Sequence, residues 1–302
     1  MELPRLHGIV PPLPTPLLDD ESVDLVSFTR LIESHLKAGV HGLWVLGTTA
    51  RFDLLPDSQW REIAETAASA SAGRVPLVLN VSDQGTKRTQ SRAARFDDLP
   101  YDYYAVLPPW YQPMATAEVA DYFVRLADTL ARPIVIYNAP WVCNQLTFPH
   151  LRKLAEHPRI VGVKDVTPCL SRTSDWPAAE RRALDFSYLH GNDQIATSTE
   201  LGADGFVSAL SNALPEIAVA AWEATRNDDL DRACRFQSQF LRSARATGFG
   251  TFHACLEIMM QHRGFLKRML PSPLRSLDAN SARRVVAVME EVGVLPEVPA
   301  PV

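Results

Sequence analysis

The sequence predicts an α/β fold, a (β/α)8 TIM barrel with an appended C-terminal helical region. Short apolar runs alternate with longer amphipathic segments eight times in a row. Strands that are apolar throughout are typical of a parallel sheet whose two faces are covered by helices. The chain has 302 residues, which is long enough for a barrel of this type, commonly about 250 residues. After Arg226 the pattern becomes purely helical.

The predicted strands are compact apolar runs bounded by Gly, Pro or polar residues. They comprise residues 7–13, 42–46, 75–81, 103–107, 134–137, 160–166, 186–190 and 205–208. An open doubly wound sheet is the alternative architecture, and it requires a glycine-rich turn after the first strand. The proline-rich stretch 11–16 follows that strand instead, so the barrel is favoured.

The predicted helices have apolar residues three and four positions apart. Within the barrel they comprise residues 24–38, a helix capped by Asp57 or Ser58 and ending near 71, 84–96, 116–130, 148–156, a weaker segment at 171–182, 194–201 and 215–225. Three more helices follow at 230–246, 252–265 and 279–292. We therefore expect residues 1–226 to form the barrel and residues 227–302 to form a helical extension packed on it, as one structural unit.

Composition excludes several classes of function. The formal net charge is -5 and no basic block occurs, which disfavours nucleic-acid binding. No apolar run approaches the roughly 18 residues of a membrane span, and residues 1–8 lack the apolar core of a signal peptide, so we expect a cytoplasmic protein. The cysteines are too far apart for a zinc site or a disulfide framework, and we expect reduced, mostly buried thiols; they are Cys143, Cys169, Cys234 and Cys255.

Lys164 is the most informative residue, because barrel active sites lie at the C-terminal ends of the strands. It lies in the apolar strand 160–166, whereas the other four lysines lie in helical segments or in turns beside them. Burial lowers the pKa of an amine, and a free amine near neutral pH attacks carbonyl carbons. A purely structural pairing of Lys164 with Asp165 or Asp193 is the alternative, and the sequence leaves it open.

Two more strand ends carry suitable groups. Tyr137 ends the strand before Lys164, and neighbouring strands lie roughly 5 Å apart, so its phenol is expected near the amine, where it can relay protons. The turn Gly47-Thr48-Thr49 offers hydroxyl and backbone N–H groups that can bind a carboxylate. Taken singly, each feature also fits a structural role, as a tyrosine at the edge of the core or an ordinary turn after a strand.

Together these residues resemble the dihydrodipicolinate synthase / N-acetylneuraminate lyase family. The resemblance extends from about Leu6 into the C-terminal helices and rests on Gly47-Thr48-Thr49, the Tyr111 loop, Tyr137-Asn138-x-Pro140, Gly162-x-Lys164, Gly191-Asn192-Asp193 and the stretch 201–205. It implies that Lys164 forms a Schiff base with pyruvate or a related 2-oxo acid. It also implies that Thr48 and Thr49 hold the carboxylate while Tyr137 relays protons.

The resemblance implies no metal and no organic cofactor. It implies a homotetramer built from two dimers, in which Tyr111 enters the site of the neighbouring subunit. The predicted catalytic residues are therefore Lys164, Tyr137, Thr48 and Tyr111. The predicted substrate-binding residues are Gly47, Thr48, Thr49, Arg51, Asn138, Trp141 and Ser208.

The chain departs from the family pattern at several positions. The family usually reads Gly-Thr/Ser-Thr-Gly-Glu, and here Ala50 and Arg51 take the last two positions. Dihydrodipicolinate synthases carry an arginine where this chain has Val142, and that arginine grips the carboxylate of aspartate semialdehyde. Together with Trp110 and Trp141, Val142 predicts a more apolar pocket for the second substrate. The customary threonine after that arginine is replaced, and the residue here is Cys143.

The sequence allows two interpretations for each of three polar residues. Arg51 binds an acidic group of the substrate or pairs with Asp53 or Asp57. His190 donates a proton or is a packed strand histidine. Asp193 orients the site beside Lys164 or caps the next helix.

Three functions fit the sequence. The favoured one is an aldolase or lyase that makes or cleaves a C–C bond between a 2-oxo acid and a partly apolar aldehyde, a group that includes the hydratase–aldolases of aromatic degradation. The second is dihydrodipicolinate synthase itself, or a 2-keto-3-deoxy sugar acid dehydratase. The third is an inactive barrel that acts as a binding or regulatory protein, and the buried Lys164 argues against it because an unused buried charge is costly.

Overall fold

The computed structural model describes residues 4–167, 172 and 175–296. Its eight parallel strands follow the order β1-β8-β7-β6-β5-β4-β3-β2. They are β1 (Gly8–Ile9), β2 (Leu43–Val45), β3 (Leu77–Asn80), β4 (Tyr103–Val106), β5 (Ile134–Asn138), β6 (Ile160–Asp165), β7 (Ser187–His190) and β8 (Gly205–Phe206). A parallel bridge joins Pro12 to Trp44, and the Trp44 N–H donates to the Pro11 carbonyl at 3.0 Å. These contacts close the sheet between β1 and β2, so the predicted barrel is confirmed.

Eight of the described helices lie within residues 4–226 and three follow. They are α1 (Leu25–Lys37), α2 (Trp60–Ser71), α3 (Thr86–Ala93), α4 (Thr116–Ala127), α5 (Phe148–Leu154), α6 (Ala178–Ala183), α7 (Ile195–Glu200), α8 (Pro215–Arg226), α9 (Leu230–Ser243), α10 (Phe252–His262) and α11 (Ala279–Glu291). Aspartate side chains cap α1, α9 and α11; for example, Asp24 accepts from the Ser27 N–H at 2.9 Å. Such caps satisfy amides that a helix start leaves without partners.

Several predicted element ends were wrong. Neither Asp57 nor Ser58 caps α2, which begins after Gln59; the Asp57 carboxylate instead accepts from Arg92 and Arg95. The last strand was expected to reach residue 208 and ends at Phe206. The helix expected over 230–246 ends earlier, because the chain tightens into a 3-10 helix at Ala244–Phe249. Of the weak segment 171–182, residues 171, 173 and 174 lie outside the described part of the chain.

The core lies inside the barrel and between the barrel and its helices. Apart from half-buried Val161, every strand residue is buried, as expected for a parallel sheet covered on both faces. Helix α9 packs on α7 and α8, while α10 and α11 pack on each other. No helix in the described residues is long and apolar enough to cross a membrane.

The thiols are free in the described part of the chain, but they are not mostly buried as expected. Cys255 is buried, Cys143 is half-buried and Cys234 is exposed. Cys234 lies in α9, on the outside of the helical extension, where nothing covers it. The remaining cysteine, Cys169, lies outside the described residues.

Candidate active site

Lys164 and Tyr137 lie side by side because β5 and β6 pair in register at these two residues. Lys164 is 4% exposed, and its Nζ lies 4.0 Å from the centre of the Tyr137 ring and 5.3 Å from the Trp44 ring. No hydrogen bond or ion pair joins this Nζ to any described residue. Burial lowers the pKa of Lys164 from 10.5 to about 7, because a dry environment disfavours the charged form. A large share of the amine is therefore neutral at physiological pH.

The alternative in which Lys164 pairs with Asp165 was wrong. The Asp165 carboxylate accepts from Asn138 at 3.1 Å, from Arg172 at 2.9 Å and from the Tyr188 hydroxyl at 2.6 Å. Side chains alternate between the two faces of a strand, so Lys164 and its neighbour Asp165 point to opposite sides of β6. The carboxylate has its own partners, whereas the amine has no hydrogen bond or ion pair among the described residues.

Asp193 does not pair with Lys164 either. Its carboxylate accepts from the Ser208 hydroxyl at 2.5 Å, and burial raises the pKa of Asp193. It does not cap α7, where Gln194 is the cap residue and Asn192 accepts from the Gln194 N–H. Both earlier interpretations of Asp193 are therefore replaced by a buried bond between the ends of β7 and β8.

Tyr137 is linked to the turn after β2. Its hydroxyl lies 3.2 Å from the Thr48 hydroxyl, and the Trp44 ring packs edge-on against it with 5.7 Å between ring centres. Burial raises the pKa of Tyr137 to about 12, with the Thr48 bond opposing the shift. The phenol is therefore neutral at pH 7, and the two hydroxyls form a hydrogen-bonded pair that leads to the cavity beside Thr48.

The turn after β2 forms without the family's glycine. Thr48–Ala50 is a 3-10 helix, and Thr49 and Ala50 are buried in it. The left-handed conformation falls on Arg51, with φ of 54°, and not on Ala50. Gly47 lies against Trp44, and a Cβ at that position would lie 3.0 Å from the indole ring. An alanine at position 50 is therefore compatible with this turn.

A cavity of about 250 Å³ opens beside Thr48. Its walls are mostly apolar, and they consist of Thr48, Arg51, Phe52, Asp53, Leu107, Trp110, Trp141, Val142 and His253. The Trp110 ring packs edge-on against Phe52, with 6.1 Å between the ring centres. The apolar residues expected around a second substrate, Trp110, Trp141 and Val142, thus line one cavity that adjoins the Thr48–Tyr137 pair.

Of two polar residues in this cavity wall, the sequence predicted Arg51 but not His253. Arg51 pairs with Asp53 through two bonds, Nε–Oδ1 at 3.0 Å and Nη2–Oδ2 at 2.7 Å, which is one of the two expectations for Arg51. His253 was missed, because it lies in α10, some 200 residues from Thr48. No local motif marks it, since a single histidine at the start of an amphipathic helix is ordinary.

Other predicted site residues lie away from this cavity or have protein partners. The Asn138 side chain donates to Asp165 and accepts from the Leu146 N–H at 3.2 Å. Ser208 donates to Asp193. Tyr111 is 89% exposed, with φ of 81°, so its phenol is directed to the outside of its own chain.

His190 is a packed strand histidine. It stacks on Phe206 with 6.2 Å between ring centres and contacts Asn192 through Nδ1 at 3.0 Å. Burial lowers the pKa of His190 to about 4, so the ring is neutral at pH 7. In the described residues, no three His, Cys, Asp or Glu side chains come together where they could hold a metal ion.

Comparison with known proteins agrees with this geometry. Residues 5–292 match the model of the dihydrodipicolinate synthetase family. An uncharacterized DapA-like lyase of Halobacterium salinarum is 30% identical, over 96% of this chain and 95% of its own. The 4-hydroxy-tetrahydrodipicolinate synthase of Xanthomonas axonopodis pv. citri is 30% identical over 93% of this chain and 99% of its own.

Solved structures have the same fold. A prophage protein of the dihydrodipicolinic acid synthase family from E. coli K12, in complex with pyruvate, superposes with a TM-score of 0.90 at 25% identity, over 96% of this chain and 99% of its own. The dihydrodipicolinate synthase of Bacteroides thetaiotaomicron superposes with a TM-score of 0.89 at 27% identity, over 96% of this chain and 100% of its own. The chain therefore belongs to the dihydrodipicolinate synthetase family.

Proposed function

We propose that this protein is a class I aldolase or lyase that makes or cleaves a C–C bond between pyruvate, or a related 2-oxo acid, and an aldehyde. One observation carries the proposal: the Lys164 amine is buried, has no ion pair among the described residues and has a pKa of about 7. A cation kept so dry is costly unless its neutral form is used. Tyr137 and Thr48 provide the proton relay beside it.

The chemistry needs only this chain's residues and its substrates. The Lys164 nitrogen adds to C2 of the 2-oxo acid, and the carbinolamine loses water to give an iminium ion. Loss of a proton from C3 gives an enamine, whose C3 attacks the aldehyde carbon. Addition of water then releases the product and restores the free amine; cleavage is the same sequence reversed. Tyr137 would hold and return the proton at each step.

Pyruvate is the donor best supported. A family member similar to this chain was solved with pyruvate. The 3-10 turn carrying Thr48 and Thr49 lies beside Tyr137, and its hydroxyl and N–H groups suit a carboxylate. We expect no cofactor beyond the imine itself.

Specific residues argue against each alternative function. Dihydrodipicolinate synthesis needs a cation for the second carboxylate, but Val142 occupies the corresponding position and Arg51 is already paired with Asp53. Dehydration of a sugar acid needs several polar groups for its hydroxyls, whereas most of the cavity wall is apolar. An inactive barrel has no use for the dry amine of Lys164.

Borohydride reduction in the presence of pyruvate tests the proposal. We expect an adduct of the reduced imine on intact mass, mapping to Lys164 by peptide analysis. The Lys164→Ala variant is expected to give none, while Lys153→Ala, which removes a lysine on the surface helix α5, is expected to react like the parent. Folded protein that forms no adduct with pyruvate or with several other 2-oxo acids would contradict the proposal.

We also propose a homotetramer made of two dimers, in which Tyr111 acts in the neighbouring subunit's site. An aromatic side chain that is 89% exposed on a left-handed backbone is strained, and strain of this kind is retained at functional positions. Its test is mixing Lys164→Ala subunits with Tyr111→Phe subunits. Restored activity is expected, because a mixed dimer holds one site with both groups; no recovery in proven mixed dimers would contradict the assignment.

A further inference from the structure

We propose that the aldehyde of this reaction is an uncharged molecule with a planar apolar body, and that Asp53 and His253 set this preference. This inference rests on the proposed function and specifies its second substrate. Asp53 pairs with Arg51, the only arginine among the described residues of the cavity wall, and His253 offers a neutral hydrogen-bonding group at the wall's polar edge.

The shape and walls of the cavity fit a flat apolar body. Three aromatic side chains, Phe52, Trp110 and Trp141, contribute to its wall. An apolar cavity of about 150 Å³ accepts benzene, so the 250 Å³ available here holds one aromatic ring with its aldehyde and a further small substituent. Aromatic walls favour planar apolar partners by edge-to-face and offset contacts.

Arg51, the arginine among the described residues of the wall, already forms an ion pair with Asp53. Both bonds between Arg51 and Asp53 are shorter than 3.1 Å, and the Arg51 side chain is 17% exposed. Arg51 and Asp53 are only two residues apart in the chain, and the left-handed backbone of Arg51 ends the 3-10 turn. Their ion pair is therefore formed before any substrate binds. A carboxylated aldehyde would have to displace Asp53 from a bidentate pair, which is the strongest ion-pair geometry available to arginine.

His253, the third polar residue at this edge of the cavity, is uncharged. Burial and the Arg51 cation lower the pKa of His253, while a hydrogen bond with the Thr48 backbone and the Asp53 carboxylate oppose the shift. A neutral imidazole keeps one ring nitrogen as a hydrogen-bond acceptor. The described residues of the cavity wall therefore offer an acceptor for a hydroxyl and no unpaired arginine for a carboxylate.

Competing aldehydes with and without a carboxylate provide the test. Rates of C–C bond formation with pyruvate are measured for benzaldehyde, 4-hydroxybenzaldehyde, 4-carboxybenzaldehyde and succinic semialdehyde. For the parent protein we expect kcat/KM for benzaldehyde and 4-hydroxybenzaldehyde to exceed that of both carboxylated aldehydes by tenfold or more. A parent that prefers the carboxylated compounds would overturn the inference.

Two variants then test whether the lack of a free cation in the wall causes this preference. Asp53→Asn frees Arg51, and Val142→Arg adds a cation at an exposed wall position. Each is expected to raise the ratio of kcat/KM for 4-carboxybenzaldehyde over benzaldehyde by at least tenfold. The matched control is Asp98→Asn, which breaks a similar two-bond pair with Arg61 on the outer surface and should leave that ratio unchanged. An unchanged ratio in both wall variants would overturn the role given to charge.

His253 has its own readout. In the parent we expect 4-hydroxybenzaldehyde to be preferred over benzaldehyde, because the acceptor nitrogen of His253 can bind its hydroxyl. His253→Phe keeps an aromatic ring but removes the acceptor, so we expect that preference to disappear. An unaltered preference would contradict its role. Pyruvate trapping is measured on every protein first, because a parent without the Lys164 adduct refutes the proposed function, whereas a trapping-competent parent with the wrong aldehyde preference refutes only this inference.

Discussion

The two ends of the barrel differ in how their charges are arranged. Cavities of about 680 and 410 Å³ lie at the N-terminal ends of the strands, and both are larger than the 250 Å³ cavity at the other end. Yet two arginines that line the cavity of about 410 Å³ have protein partners: Arg5 donates to Asp204 and to the Phe186 carbonyl, and Arg159 donates to backbone carbonyls. At the C-terminal end, Lys164 has no such partner in the described residues.

The difference shows that cavity size is a poor guide to chemistry in this molecule. Paired arginines hold the starts of the strands together, which is the stabilising role usual for that end of a barrel. A buried amine without a partner costs stability and is useful only for reaction.

Removing the amine should stabilise the protein below neutral pH. The unfolded chain keeps the Lys164 proton up to a pKa of 10.5, whereas the folded chain releases it near 7. Between these values the unfolded state binds more protons, so the stability of the parent rises with pH, and below 7 it bears the full penalty. Lys164→Met should therefore gain on the order of 4–5 kcal/mol at pH 6, at about 1.4 kcal/mol per tenfold change.

Denaturant unfolding at pH 6, 8 and 10 measures this gain. We expect the difference between Lys164→Met and the parent to shrink as the pH rises and to be lost near 10.5. A difference that does not vary with pH would mean that the amine is not dry in the folded state, and the contrast between the two ends would fail.

Tyr137→Phe should slow imine formation without removing the nucleophile. The Tyr137 ring lies 4.0 Å from Nζ, and a positioned acid–base group contributes about 100-fold or more. Stopped-flow trapping with pyruvate measures the rate, and the final adduct mass should be unchanged. Thr89→Val is a matched control, because it removes a similar buried hydroxyl contact with a tyrosine, Tyr122, away from Lys164. An equal rate in Tyr137→Phe and the parent would exclude the relay.

Arg5→Met should have the opposite signature to the Lys164 variant. It breaks a bond of 2.9 Å to Asp204, which is itself largely buried, and it leaves a carboxylate with one partner fewer. We expect a loss of about 1–3 kcal/mol in the free energy of unfolding and no change in pyruvate trapping. A gain in stability here would show that both ends of the barrel carry the same kind of strain.

The pH dependence of the trapping rate should follow the titration of the Lys164 amine. Only the neutral amine adds to the ketone, so the rate should fall about tenfold per pH unit below the Lys164 pKa of about 7 and level off above it. Tyr137, with its pKa raised to about 12, remains protonated throughout this range. Tyr137→Phe should therefore lower the whole profile and leave its midpoint in place; a midpoint near 10 in the parent would mean that burial does not shift the amine.

The order and type of most elements were predictable because their signals are local. The strand carrying Lys164 and the strand ending at Tyr137 are runs of branched apolar residues, and such runs need no distant contact to be recognised. Errors fell at element ends, where a distant partner decides. Asp57 has the side chain of a helix cap, but two arginines of the next helical region bind it instead.

The site was predictable only in part for the same reason. Tyr137 and Lys164 are the penultimate residues of their strands and Thr48 follows β2, and the rule for barrels brings these C-terminal strand ends together. His253 lies outside any strand, so no such rule applies to it. Asn138 has the chemistry of a substrate ligand, but its two polar groups bond to Asp165 and Leu146, and a sequence does not reveal how hydrogen bonds are shared out.

The barrel, the position of Lys164 inside it and the valine at position 142 could all be read from the chain, because periodicity and residue identity are local properties. The partners of Asp165, the pairing of Arg51 with Asp53 and the place of His253 beside Thr48 in the cavity wall emerge only in the folded protein. These outcomes depend on which groups meet across the fold, and burial and pairing set their charge only after the chain has closed around them.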